Sequence, residues 1–394
     1  MKMKSCKFLS FVALLLLCSL AVQAQKVLYS LDFKLSKKDF VDTIPITQER
    51  ERVLVPVSIG GHSYQFLLDT GASHAVIYDD AMIEGCEPIG EIDSYDANNH
   101  KAAVPMVMMP PLTIGSLTLT GCHATVQKRR IKDRPIDGII GFDLVSKGLQ
   151  MKIDTREKML IITDRKKFFD NEPGYKLKYS MQRHVPYIEV SPFSQYKETV
   201  LFDTGSNGIY VINKGSFDTG EPLMVNRSQI EGRSMGRMSM GFSGTEARGE
   251  VVFLALDSLS VGGFFLKDLH THSTQGNSHV GAGIMKYGAV VFVPHKKVMV
   301  FQPYDDVGSC EVGNRQIEKA VVPSADGLPM IGVVWERSEA FLAGFREGDI
   351  IVKADGKPIS SFQEYRRFRP INQHVYTFDV IDRRGFTKEV KAEW

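Results

Sequence analysis

The chain has 394 residues, 43% hydrophobic and 24% charged, with 34 Gly, 17 Pro and a formal net charge of +2. At roughly 100–200 residues per domain this length gives two or three domains, and the composition excludes collagen, coiled coil, bulk disorder and a multi-spanning membrane protein. Lys2, Lys4 and Lys7 lie in a segment that reads as removable; without them 45 basic residues face 46 acidic ones, a net of −1, so there is no basic footprint for nucleic acid.

Met1 to Ala24 has a charged start, an apolar run from Phe8 to Leu20 and Val22-Gln23-Ala24 as a cleavage site before Gln25, the pattern of an export signal. The 13-residue apolar run is too short for a hydrocarbon core that needs about 17–25 helical residues. The expectation is a periplasmic or secreted protein with no stable membrane span, whose mature chain starts near Gln25. Cys86, Cys122 and Cys310 then remain, too few for a disulfide scaffold, and a Cys86–Cys122 bridge is left open. Residues 25–49 read as an N-terminal segment.

From there the chain pairs with itself at a separation of about 140 residues, which suits a duplicated domain. Val55-Pro56-Val57 followed by Phe66-Leu67-Leu68-Asp69-Thr70-Gly71-Ala72-Ser73 matches Val185-Pro186-Tyr187 followed by Val200-Leu201-Phe202-Asp203-Thr204-Gly205-Ser206-Asn207. Leu112-Thr113-Ile114-Gly115 matches Leu259-Ser260-Val261-Gly262, and Gly141 matches Gly283, at offsets of 134, 147 and 142. Within each copy, short apolar or alternating runs are separated by Gly, Pro, Asn and Asp, the signature of an all-β unit. The copies are predicted over 50–166 and 167–302.

Three Asp-Thr-Gly triplets occur, at Asp69, Asp203 and Asp218. The tripeptide alone is weak, since average usage gives it at roughly one position in several thousand. The third follows Lys214-Gly215-Ser216 without an apolar strand and reads as a surface turn. The first two each end an apolar strand at equivalent places in the duplication, where Gly permits a tight turn and close backbone approach. A pseudo-two-fold axis would bring Asp69 and Asp203 face to face. Two carboxylates about 3 Å apart cannot both ionise, so the pair shares a proton. A water between them can then attack a peptide carbonyl, the ionised member acting as general base and the protonated member polarising the carbonyl oxygen.

On these residues the chain resembles the aspartic proteases, pepsin-like and retroviral, over roughly 50–302, including Ile139-Ile140-Gly141, the apolar-apolar-Gly element that packs behind the active-site loop in that family. The resemblance implies a mainly β fold of two pseudo-symmetric barrel lobes. It implies Asp69 and Asp203 as the catalytic dyad and Thr70 and Thr204 as hydrogen bonds locking the loops. Gly71 and Gly205 would shape the turns, and Ser73 would join the hydrogen-bond network at the dyad. The second half departs from the pattern, reading Gly281-Ala282-Gly283 and Asn207. A flap hairpin is expected between the first triplet and Leu112, with Tyr95 at its aromatic tip, and Ser234 to Gly244 reads as a mobile hairpin in the second half. His270, His272 and His279 lack Cys or carboxylate partners, so no metal or other cofactor is expected.

A polar stretch, 303–319, reads as a linker to a third unit over 320–394. There a helix stopped by Gly344, a Gly348-Asp349 turn, a buried strand at Ile350 to Val352 and an Asp355-Gly356 hairpin turn follow in order. The string Ser338 to Ile359 resembles the PDZ domain appended to bacterial envelope proteases. That resemblance implies a peptide added as a strand beside Ile331 to Trp335, against the helix after Ser361. Leu328, Met330, Ile331, Phe362 and Tyr365 would line the groove. Pro329 has no N–H for a peptide carboxylate, so internal segments or the chain's own protease lobes are the expected ligands, the unit docking substrate or regulating the lobes. The whole reads as an aspartic endopeptidase acting on polypeptides, with one chain sufficient for the chemistry. The alternative is an inactive peptide-binding module on the same folds.

Overall fold

The computed structural model describes residues 26–394 except 82, 97, 99, 130–134, 242, 243, 306, 307, 369, 370, 372 and 373. The expected export signal, Met1 to Ala24, lies outside the described residues. No helix among the described residues is long and apolar enough to cross a membrane. The protein is mainly β.

Alternating patterns become paired strands in the first half. Arg52–Ile59 and His62–Leu68 form a hairpin turned by Gly60 and Gly61, both at positive φ, as a two-residue turn requires. This hairpin lies in an eleven-stranded sheet. Gly138–Ile140 slots in parallel to His62–Leu68 and antiparallel to Ala75–Tyr78. The second half repeats the arrangement, with His279–Gly281 parallel to Tyr196–Asp203 and antiparallel to Tyr210–Asn213.

The register corrects one element of the sequence alignment. Ile140 sits opposite Leu68 and Gly281 opposite Asp203, so Gly141 corresponds to Gly281 and not to Gly283. Backbone bonds agree: Phe142 N–H donates to the Ala72 carbonyl and Ala282 N–H to the Ser206 carbonyl. The counterpart of Ile139-Ile140-Gly141 is therefore His279-Val280-Gly281, hidden from alignment because His279 replaces an apolar residue.

A fourteen-stranded sheet joins the halves. Gln150–Asp154 pairs with Gly288–Val293, with Met159–Thr163 and Val41–Pro45 on one side and Val298–Pro303 and Tyr175–Gln182 on the other. Val41–Pro45, expected in a separate N-terminal segment, is thus a strand of the joint. Beneath it, Phe142 and Phe202 meet Phe292 edge to face at 5.1 and 5.8 Å. All three are buried, each contributing roughly 1.5–3 kcal/mol by leaving water. Phe202 directly precedes the second Asp-Thr-Gly triplet, and Phe142 donates its N–H to the Ala72 carbonyl just after the first, which ties both loops to the core.

Two further expectations change. Asp218-Thr219-Gly220 is not a surface turn but the end of a helix, Lys214–Gly220, capped by the Asn213 side chain and braced by Lys214 on Asp218 at 2.6 Å. The stretch 303–319 is not a free linker: Ser309–Glu311 pairs with Phe264–Thr274, and Gln316 bonds Glu231 at 2.7 Å.

The C-terminal residues form a six-stranded sheet around Ile331, Phe345, Ile351 and Phe378. Ser338 caps the helix Glu339–Ala343 and Gly344, at φ 117°, ends it. This unit is docked on the second half. Trp335 stacks on Phe253 at 6.2 Å, Arg237 N–H donates to the Gly332 carbonyl, and Arg248 grips Glu347 at 2.7 and 2.8 Å.

Candidate active site

Each Asp-Thr-Gly loop begins where a strand leaves the sheet. Asp69 N–H donates to the Ile140 carbonyl, and Asp203 pairs with Gly281. The structure brings the two loops into contact. A Cβ on Gly71 would lie 2.7 Å from the Asp203 carboxyl carbon, and one on Gly205 would run into the Asp69 carboxyl. Only glycine admits this approach.

The Asp69 and Asp203 carboxyl groups are hydrogen-bonded to each other, and both residues are half-buried, open on the cleft side. Burial, then the neighbouring Asp203 carboxyl, holds Asp69 well above the usual carboxylate range. Burial also raises Asp203, but hydrogen bonds from Asp69 and from the N–H groups of Gly205 and Ser206 oppose the shift. Asp203 Oδ1 accepts those N–H groups at 2.9 and 3.2 Å, whereas Asp69 Oδ1 accepts Gly71 N–H at 2.8 Å. The two N–H groups on Asp203 stabilise negative charge there more than the single N–H on Asp69 does, and the carboxyls titrate as a pair.

Thr70 and Thr204 lock the loops from below. Each backbone N–H donates to the other's hydroxyl, at 3.0 and 3.1 Å. Each hydroxyl then donates across the axis, Thr70 to the Phe202 carbonyl at 2.5 Å and Thr204 to the Leu68 carbonyl at 2.7 Å.

Ser73 does not join the dyad. Its hydroxyl is 2.8 Å from His74 Nδ1, because the residue that directly follows Gly71 in the turn is Ala72, which has no hydroxyl. The corresponding second-half residue, Ser206, has its hydroxyl 2.9 Å from His279 Nε2. Ser206 and His279 were missed in the sequence; the signal available was Ser206 directly after Gly205.

The hairpin Glu87–Tyr95 and Lys101–Met108 carries Tyr95 at the end of its first strand. Tyr95 is engaged by the Arg183 guanidinium 3.9 Å over its ring. Further along the hairpin, Asn98 also reaches the second half, bonded to the Gly244 carbonyl at 3.3 Å and to the Ser239 hydroxyl at 3.1 Å. Of the Ser234 to Gly244 stretch expected to be mobile, Met238 and Ser239 are anchored: buried Glu246 accepts from their N–H groups.

The strand edge expected to be free beside Ile331 is already occupied. Pro329–Val334 pairs with Lys319–Pro323 on one side. On the other, Met330 faces Ile350, Ile331 N–H donates to the Asp349 carbonyl, and Gly332 accepts from Arg237. Ile331 is fully buried in the core. Leu328 belongs to the tight turn before this strand, where its N–H donates to the Ser324 hydroxyl. The sheet ends instead at Lys319–Pro323. Beside this strand a recess is lined by Val321, Tyr365, Trp394 and residues 315–319; Phe362 stacks on Tyr365 at 6.0 Å. Cys86, Cys122 and Cys310 are free thiols.

Residues 55–144, which contain the first Asp-Thr-Gly, match the family model described as aspartyl protease. No curated protein matches the chain. Among solved structures, an aspartic proteinase from Irpex lacteus is similar over 67% of this chain and 97% of its own, with 14% identity and a TM-score of 0.42.

Proposed function

We propose that the protein is an aspartic endopeptidase with two lobes that share one active site. The observation that carries this reading is the hydrogen bond between the Asp69 and Asp203 carboxyls where the two Asp-Thr-Gly loops meet. In the resting pair Asp203 is the ionised member, poised as general base toward a water held between the carboxyls. Asp69, protonated, donates to the scissile carbonyl oxygen as it becomes tetrahedral. The proton taken from water then passes to the leaving amine. The Thr70–Thr204 lock keeps both carboxyls fixed through these transfers, and the hairpin ending at Asn98 acts as the flap over a bound polypeptide.

The C-terminal unit is proposed as a PDZ domain that docks peptide segments. Its peptide strand would add to the free edge at Lys319–Pro323, with Tyr365 and Trp394 walling the recess. Export to the periplasm or beyond, with cleavage after Ala24, completes the reading.

The test is cleavage of an unfolded protein between acid and neutral pH by the mature chain, with and without an inhibitor that mimics the tetrahedral intermediate. Inhibitor-sensitive cleavage is expected. Folded protein that binds the inhibitor but cleaves nothing at any pH would replace the enzyme with a peptide-binding module.

A further inference from the structure

The dyad is bordered by a cation that the mechanism does not use. In the hairpin Arg52–Ile59 and His62–Leu68, Leu54 pairs with Leu67 and Ile59 with His62. Extended to the end of the strand, the register sets Arg52 directly opposite Asp69. Leu54 and Leu67 share one face of the sheet, and two residues on, Arg52 and Asp69 share it too. The same step in the second half, where Tyr187 pairs with Leu201, sets Val185 opposite Asp203. The charge is therefore present on one side of the pseudo-two-fold axis only.

The Arg52 side chain is 6% exposed, and its Nη2 pairs with Glu49, its cross-strand neighbour. Its Nε is buried with no hydrogen-bond partner among the described residues. The turn that follows Glu49 is fixed to the other active-site loop, since Glu51 accepts the Gly208 N–H at 2.5 Å. One short hairpin thus reaches both loops, and its guanidinium acts electrostatically on Asp69 and Asp203 alike.

We propose that Arg52 is a positioning residue that sets the charge state at which the Asp69–Asp203 pair works, with Glu49 tempering it. The inference rests on the reading of these aspartates as the working pair. A guanidinium stays protonated throughout the accessible pH range, so its field is constant. Beside the pair it favours the singly charged state over the neutral one, and the doubly charged over the singly charged. Among the described residues, the other ionisable groups acting on the pair are Tyr78, which carries Arg129 4.6 Å over its ring, and Tyr187 beside Asp203. Arg129 is itself neutralised by Asp80 at 2.6 Å. Burial raises both tyrosines, which leaves them uncharged over the range in which carboxyls titrate.

The test titrates the pair directly, by carbon NMR of protein labelled at the aspartate carboxyl, with Asp69→Asn and Asp203→Asn supplying the assignment. In the Glu49→Gln/Arg52→Gln double variant, which leaves only the solvent-exposed Arg50 without its Glu49 partner, both apparent pair values should rise by about one pH unit, a tenfold change in each ionisation constant. Arg52→Lys should stay near the parent. Glu49→Gln alone, which frees the cation, should move the values the opposite way. The acid limb of the cleavage profile should follow each shift. A folded double variant whose pair titrates like the parent overturns the proposal, as does Glu49→Gln shifting upward. Since the titration needs no turnover, it reads this inference even if the parent cleaves nothing, an outcome that would count against the proposed activity alone.

Discussion

Thr70 and Thr204 exchange hydrogen bonds reciprocally, each N–H to the other's hydroxyl, and each hydroxyl onward to a carbonyl of the opposite strand. Both residues are buried, so no water can replace a lost partner. Thr70→Val keeps the shape but strands the Thr204 N–H and the Phe202 carbonyl. It should destabilise the fold by about 1–3 kcal/mol for each group left unpaired, while Thr70→Ser should stay near the parent. Urea unfolding of the two variants makes the comparison; equal midpoints would remove the energetic role of the lock.

The dyad predicts a trade of stability for activity. Both carboxyls have folded-state values above the unfolded ones. As pH rises above the unfolded value of about 4, the unfolded chain gives up protons that the folded pair retains, and stability falls. Asp69→Asn and Asp203→Asn should each abolish cleavage. Each should also melt above the parent near neutral pH, and the gain should shrink toward pH 3, where the parent pair is neutral. Scanning calorimetry across that range checks the sign; a variant that melts lower at neutral pH contradicts it.

What could be read in the sequence and what could not divide along physical lines. Asp69 and Asp203 were legible because each ends an apolar strand at a duplicated place, a local pattern. The joining strand Val41–Pro45 was not, since its partner Met159–Thr163 lies more than a hundred residues away and nothing local marks the pairing. His279 escaped because a polar residue fills a position that periodicity expects to be apolar; its hydrogen bond to Ser206 exists only in three dimensions. Ser73 was misplaced by one step in a turn, and the strand expected to offer a free edge, Pro329–Val334, is paired to its neighbours. A motif names residues without fixing which neighbour faces which. Arg52 at the start of an apolar strand gives no sign of its burial until the register sets it against Asp69.

Asp143, just after the Ile139-Ile140-Gly141 element, offers a second pH handle away from the chemistry. Burial pushes its carboxyl up to about 7, against the pull of backbone N–H groups at Leu144 and Ala75. Between about 4 and 7 the unfolded chain is ionised here while the folded chain still holds the proton, so this residue removes stability as pH rises through that window. Asp143→Asn should flatten the loss, with a variant-minus-parent difference that grows from pH 4 to 7 and then levels off. Unfolding free energies at four or five pH values suffice, and a difference independent of pH would mean that Asp143 is ionised in the folded protein.

The docking of the C-terminal unit poses a choice between packing and charge. Arg248 and Glu347 make a two-point ion pair, but the Arg248 side chain is 41% exposed, and exposed pairs contribute about 0.2–1 kcal/mol. Trp335 instead lies flat on Phe253, beside fully buried Val251 and Val333. It reaches that place because Gly232 has no side chain: a Cβ there would overlap the indole. Gly232→Val should therefore undock the unit and Arg248→Ala should not. Small-angle scattering should show a larger radius of gyration for Gly232→Val, with faster protease cutting in the 303–319 stretch that now lies against the second half. Arg248→Ala should keep the parent's dimensions even in high salt. If Arg248→Ala expanded the molecule while Gly232→Val left it compact, charge and not packing would hold the unit in place.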